Sequence, residues 1–374
     1  MKINVDIRSA AKPISGISTF KIETISHLLQ NYSDIAVRGC FCFTRNEKKS
    51  DLTWLDEKEV DMSLIPDKII FNDKYHIPIN YERLFGNDVS LNLFLTFFVP
   101  YVNFKKPLIS TIHDLIVLKT NVESKDFVAS HKRRIEYAIG RSNHILTVSE
   151  SSKIDLCNYF HVDPSDISIV HNGLNVNNFI LEGCNQNEIM KLRIKYKLPE
   201  EDFILYFGGY RKHKNIESLL KAYSLLSDVE KKNLKVVITN KNQELIQLAN
   251  ELHIDKNVFF TGFIDDSDKF ILYKTAKMVY YASLCEGWGV PILESQICKT
   301  PVITSNISSM PEASGGYAML VNPYSVDEIV DAIRQLDKGF VLLDELLDKG
   351  YMNARKYTWD KSADELYNVL RKYS

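Results

Sequence analysis

The sequence predicts an α/β protein of two doubly wound, Rossmann-like units facing one another across a cleft, and three observations lead there. Short apolar runs alternate with longer amphipathic segments along the whole chain. The runs are rich in Val and Ile, as strands of a parallel sheet covered by helices on both faces are. The alternation breaks at Asn172 and restarts near Asp202. At 374 residues, the chain is long enough for two domains, each with a core of its own.

Taken in order, the expected strands of the first unit are KINVDI (2–7), AVRGCFCF (36–43), KIIF (68–71), DVSLNLF (88–94), PLISTIHD (107–114), HILTVSE (144–150) and ISIVHNG (167–173). Residues 172–202 are polar and weakly periodic, as a linker followed by a short helix would be. That places the boundary near Val176, with residues 1–175 forming one unit and 176–356 the other. Strands then resume with FILYFGG (203–209), KVVITN (235–240), VFFTGF (258–263), MVYYAS (278–283) and PVITSN (301–306). Among the helices, NIESLLKAYSLL sets Ile216, Leu219, Leu220, Tyr223 and Leu226 on one face. TWDKSADELYNVLRKY does the same with Ala363, Leu366, Tyr367 and Leu370; this helix, about 357–374, is expected to pack back on the first unit.

Composition excludes several classes. Acids outnumber bases 48 to 46, so no basic excess marks a nucleic-acid binder. The opening MKINVDIRSA lacks the apolar core of a signal peptide, and LNLFLTFFVPYV (91–102) is too short and too polar to span a bilayer. A cytoplasmic location is expected. Of six cysteines only Cys40 and Cys42 lie close together and no CxxC occurs, so the thiols are read as free and buried.

Two stretches carry chemistry. LCEGWGVPILESQ (284–296) follows a strand and opens a helix near Pro291, where a missing N–H costs nothing. Gly287 and Gly289 let backbone approach a ligand, and the amides around Val290, Ile292 and Leu293 at a helix mouth suit a phosphate. Glu286 in the loop and Glu294 in the first turn would repel phosphate; they are read as acceptors for hydroxyls of a transferred sugar and of a ribose. The alternative is that Glu294 complements the helix dipole and Glu286 caps a turn. LYFGGYRKHKNIESLL (205–220) repeats the strand, glycine turn and helix, with Gly208 and Gly209 in the turn and Arg211, Lys212 and Lys214 after it. A fixed cation there stabilises a departing diphosphate; the alternative is a solvated basic loop. No Walker loop, HExxH or GxSxG is present.

EGWGVPILES resembles the Glu, seven residues, Glu motif of the family 4 glycosyltransferases of the GT-B fold. SNHILTVSESSKIDL, YFGGYRKHKNIESLLKAY, TGFIDD and TPVITSNISSMPEASGGYAMLVNPYSVDEI extend the resemblance over most of the chain, toward bacterial polysaccharide mannosyl- and rhamnosyltransferases. The resemblance implies a retaining transfer of a hexose from a GDP- or UDP-linked donor to a glycan or lipid-linked glycan, with no cofactor. It implies that Lys214 binds the diphosphate, Glu286 the sugar and Glu294 the ribose. Gly289, Val290 and Ile292 would lie near the phosphates, and Phe263 near the base. His113, in STIHDL, matches a first-domain histidine near the reaction centre, and a structural strand-end histidine is the other reading. Gly16 matches a glycine that lets the first-domain loop approach donor and acceptor. Two departures stand out. Gly209 occupies a position where relatives carry arginine, whose charge Arg211 would replace, and Ser15 occupies that of a second glycine.

DDSD (265–268) contains the acid-x-acid pattern of metal-dependent transferases, but its acids open a helix as cap and dipole partners, so no metal is expected. HKRR (131–134) is a candidate for peripheral contact with a membrane surface. Two rival functions are a GT-B nucleotide-sugar epimerase and a transferase-like binding subunit without turnover.

Overall fold

The computed structural model describes residues 1–8, 15–42, 54, 60–63, 67–72, 76–120, 122–175, 185–339 and 341–373. Contacts divide the chain into two units. One comprises Met1–Gly173 with Thr358–Ser374, the other Leu174–Tyr357. The boundary expected near Val176 falls outside the described residues.

The first unit holds β1 (Lys2–Asp6), β2 (Ala36–Cys42), β3 (Val60–Ser63), β4 (Ile77–Asn80), β5 (Leu91–Phe94), β6 (Val102–Asn103), β7 (Leu108–Thr111), β8 (His144–Thr147) and β9 (Ile167–Ile169). Seven of these form one parallel sheet in the order β3-β2-β1-β5-β7-β8-β9, and β4 pairs with β6 in a separate ribbon. β5, β7 and β8 are buried along their whole length, as apolar strands between two helical layers must be.

KIIF is not a strand: Asp67–Ile70 is a single helical turn. It buries Ile70 and Phe71 and exposes Ile69. A run of three apolar residues, Ile69 to Phe71, has no period long enough to separate the two outcomes.

The second unit holds β10 (Asp202–Tyr206), β11 (Leu234–Thr239), β12 (Val258–Gly262), β13 (Met278–Tyr281), β14 (Val302–Ser305) and β15 (Met319–Val321). They form a parallel sheet in the order β12-β11-β10-β13-β14-β15. Strand order reverses between β10 and β13, and between β1 and β5 in the first unit. In open α/β sheets ligands bind outside the carboxyl ends of the strands at that reversal.

The last helix, Trp359–Leu370, lies against Gly16–Asn31 within the first unit. The Tyr32 and Tyr367 rings stack at 3.6 Å, and His27 meets Asp360 at 2.8 Å. Its start presses on Gly173, where an added Cβ would come within 2.4 Å of the Trp359 nitrogen and 2.6 Å of the Thr358 carbonyl carbon. Backbone cannot give way as a side chain can. Gly173→Ala is therefore expected to destabilise the first unit by about 1–3 kcal/mol, measured by urea unfolding.

Candidate active site

The loop after β10 begins at Phe207 and Gly208, whose amide donates to Thr239 Oγ1 at 2.9 Å. The Gly209 carbonyl accepts from the Tyr206 hydroxyl at 3.0 Å. A 3₁₀ turn, Lys212–Lys214, follows and ends at Asn215, which adopts φ 59°, a left-handed conformation that Asn tolerates better than most residues. The Asn215 side chain donates to the carbonyls of Ala282 (3.1 Å) and Pro323 (2.8 Å), and its own carbonyl accepts from Tyr280 (3.1 Å). The two strand-end loops meet directly as well, since the Leu284 amide donates to the His213 carbonyl at 2.7 Å.

The loop after β13 is braced from the other side. Ser308 donates to the Glu286 carbonyl at 3.0 Å and accepts from its amide at 3.2 Å, while Ser309 donates to the same carbonyl. Gly289 has φ 144°, a conformation that favours glycine, and an added Cβ would also lie 2.9 Å from Ile292 Cδ1. The helix Val290–Ile297 starts immediately after it, with Pro291 in its first turn.

These loops bring the two candidate segments around one cavity of about 200 Å³. Tyr206, Phe207, Gly208, Gly209 and Lys214 line it from one segment, and Val290, Pro291 and Glu294 from the other, with Lys269 and Tyr281 completing the wall. Lys214 Nζ donates to Glu286 Oε1 at 2.6 Å and to the Tyr281 hydroxyl at 2.9 Å. Glu286 is 8% exposed and lies behind Lys214 rather than on the wall. Burial, reinforced by the Glu286 charge, pushes the Tyr281 phenol far up, so it stays neutral. Glu294 is 4% exposed; its Oε1 pairs with Lys269 and its Oε2 accepts from Tyr273 at 2.8 Å.

Several expectations need correction. Glu294 is the fifth residue of its helix, one residue deeper than expected and past the first turn, and it does not complement the N-terminus. The Ile292 amide is not directed at a ligand, because it closes a turn onto the Gly289 carbonyl at 2.9 Å, and its side chain is fully buried. Arg211 is exposed and does not line the cavity; the further cation on the wall is Lys269, from the helix Asp266–Thr275. Asp265 precedes that helix without a side-chain cap. It and Asp268 instead hold Lys195, at 2.6 and 2.5 Å. Gly287 is buried in the braced loop. Phe263 follows β12 with its ring 84% exposed and lies off the cavity wall.

Sequence reading missed Lys269, Asn215, Ser308 and Ser309. Asn215 carried a faint signal, an Asn between a basic turn and a helix. The serines carried none.

His113 and Gly16 belong to the first unit. Gly16 opens its helix behind the Ser15 N-cap, which forms a capping box with Ser18 and so explains why serine rather than a second glycine stands there. A Cβ on Gly16 would meet nothing within 4 Å. His113 follows β7, is nearly buried, hydrogen-bonds the Leu95 carbonyl through Nε2 at 3.1 Å and sits edge-on to Phe20 at 5.1 Å.

Burial holds the His113 imidazole down to about 4 from its ordinary 6.5. The unfolded chain takes up that proton near 6.5 and the folded chain only near 4, so acid favours unfolding. The neutral ring's contribution is whole above pH 6.5 and is lost as pH falls toward 4. Over that interval the wild type is expected to lose roughly 3 kcal/mol more than His113→Gln, and equal slopes in urea titrations would contradict the assignment.

The chain matches two family models, glycosyl transferases group 1 over residues 189–356 and glycosyltransferase family 4 over residues 90–178. It is 26% identical over 268 residues to O-antigen chain mannosyltransferase B of Escherichia coli, covering 70% of each chain. It is 28% identical over 229 residues to the serotype-specific mannosyltransferase WbdA of the same organism, spanning 60% of this chain and 28% of that protein. Among solved structures, sucrose-phosphate synthase from Thermosynechococcus elongatus superposes with a TM-score of 0.74 at 16% identity, over 100% of this chain and 98% of that one. Anabaena HepE in complex with UDP and glucose superposes with 0.70 at 14%, over the whole of both chains.

Proposed function

The chain belongs to the family 4 glycosyltransferases, hexosyltransferases of the GT-B fold, and we propose that it moves mannose from a nucleotide-diphosphate donor to a hydroxyl of a surface glycan. The observation that carries this reading is the shared cavity, where the glycine turn before Lys214 and the helix mouth at Val290 line one space. A diphosphate fits between the Lys214 ammonium and that helix mouth. The names of the relatives, O-antigen mannosyltransferases, support mannose and a growing polysaccharide; the carrier in this proposal is GDP or UDP, and Anabaena HepE is seen in complex with UDP.

In the proposed reaction the bond from the anomeric carbon to the donor phosphate breaks. The acceptor oxygen bonds to that carbon on the same face, and its proton passes to the leaving phosphate. Configuration is retained without a carboxylate nucleophile. Lys214 neutralises charge that grows on the leaving diphosphate, so it acts most strongly in the transition state. Its ammonium has three donors; two are spent on Glu286 and Tyr281, and the third serves the phosphate. Glu286 holds the transferred sugar and Glu294 the ribose. His113 serves the reaction centre, and Gly16 lets its loop approach donor and acceptor.

We place lipid-linked glycan among the acceptors. Among the described residues no helix is long and apolar enough to cross a membrane. The proposed peripheral contact is the helix Lys125–Arg141, where exposed Phe127 packs near His131 and Arg134 lies over the exposed ring of Phe98.

Lys214→Ala is expected to lower kcat for mannosyl transfer by roughly a hundredfold or more, and an unchanged rate would remove this assignment. Transfer is also expected to survive EDTA, because lysines and a helix mouth supply the positive charge while Asp265 and Asp268 are engaged by Lys195. Loss of activity on chelation, restored by a divalent cation, would revive the metal reading.

A further inference from the structure

Lys269 has no role in the reaction described above, yet its side chain forms part of the cavity wall. It projects from the helix Asp266–Thr275 one turn before Tyr273, so residues at i and i+4 reach the same carboxylate. Lys269 takes Glu294 Oε1 and Tyr273 takes Oε2. Burial, with the Glu294 charge beside it, pushes the Tyr273 phenol far up, so it donates and never competes as an anion.

A carboxylate offers about four lone-pair positions, and these two donors use half of them. The remaining half is left to accept hydrogen bonds from a ligand.

We propose that Lys269 is a positioning residue for the ribose: it holds Glu294 turned so that its remaining lone pairs receive the 2′- and 3′-hydroxyls of the donor nucleotide. The proposal rests on the assignment of Glu294 to the ribose. It also gives the lysine a task other than clasping two helices, which Tyr273 already does from the same turn.

The test is calorimetric binding of GDP and UDP, each as ribo- and 2′-deoxyribonucleotide, to the full chain and to Lys269→Met, Lys269→Arg and Glu294→Ala. Wild type is expected to favour the ribonucleotide by about tenfold or more, as a hydroxyl bonded to a charged acceptor does. Lys269→Met should reduce that preference to about threefold or less and raise donor KM more than it lowers kcat, with Lys269→Arg restoring the preference. If Lys269→Met weakens ribo- and deoxyribonucleotide alike, or keeps the preference while Glu294→Ala loses it, the lysine is only a clasp and the proposal falls. If wild type shows no preference, or Glu294→Ala retains it, the ribose assignment itself falls and takes the proposal with it. Should Lys269→Met fail to fold, Lys269→Gln, one atom shorter and uncharged, carries the same comparison.

Discussion

The ion pair between Lys214 and Glu286 joins two loops that have every sequence-local reason to be independent. Sixty-seven residues separate the Lys214–Tyr281 partners and seventy-two the Lys214–Glu286 partners. They meet because β10 and β13 are neighbours at the strand-order reversal, which delivers both loops to one edge of the sheet. A carboxylate as buried as Glu286 would be costly without its cation. The surrounding hydrogen bonds, Leu284 to His213 and Asn215 to Ala282 and Pro323, fix the distance at which the pair forms. The pair is therefore a register between two loops as much as an electrostatic contact.

A second pair repeats the arrangement on the same wall, with Lys269 against Glu294. Each cation is matched to a carboxylate, and each carboxylate has a phenol beside it, Tyr281 for one and Tyr273 for the other. The wall thus offers the ammonium groups of Lys214 and Lys269 and one carboxylate, Glu294. The helix mouth adds to this modestly. Its dipole is worth about 0.3–1 kcal/mol, and the Ile292 amide is already spent on Gly289.

What could be read from the sequence follows from where the physics is local. Glycine and proline at strand ends announce close backbone approach, so the loops around Gly208 and Gly289 stood out, as did the long buried strands. Contacts made through tertiary packing left no such mark. Lys269 sits beside three acids and looks like a partner for them, when its side chain reaches across to a helix that begins twenty-one residues later. Arg211 looked like a phosphate ligand for the opposite reason. It is near the motif in sequence, but the 3₁₀ turn that aims Lys214 inward leaves Arg211 at the exposed start. The helical turn at Asp67–Ile70 is illegible because three consecutive apolar residues, Ile69 to Phe71, carry no period.

The first unit obeys the same topology with a different means of holding charge. Its reversal lies between β1 and β5. Asp6 is 2% exposed and is met by Arg8 at 2.6 Å and Lys21 at 3.3 Å. Burial alone would raise its carboxyl, but the two cations outweigh burial and hold it below the ordinary range. Arg8 also donates to the Phe98 carbonyl beyond β5, and His113 binds the Leu95 carbonyl in the same segment. Here the loop after β5 is held by side chains bonded to its backbone carbonyls, rather than by glycine turns and serine braces. Side chains of ordinary appearance, scattered over a hundred residues of sequence, do that work. This is why the first unit is harder to read from sequence than the second.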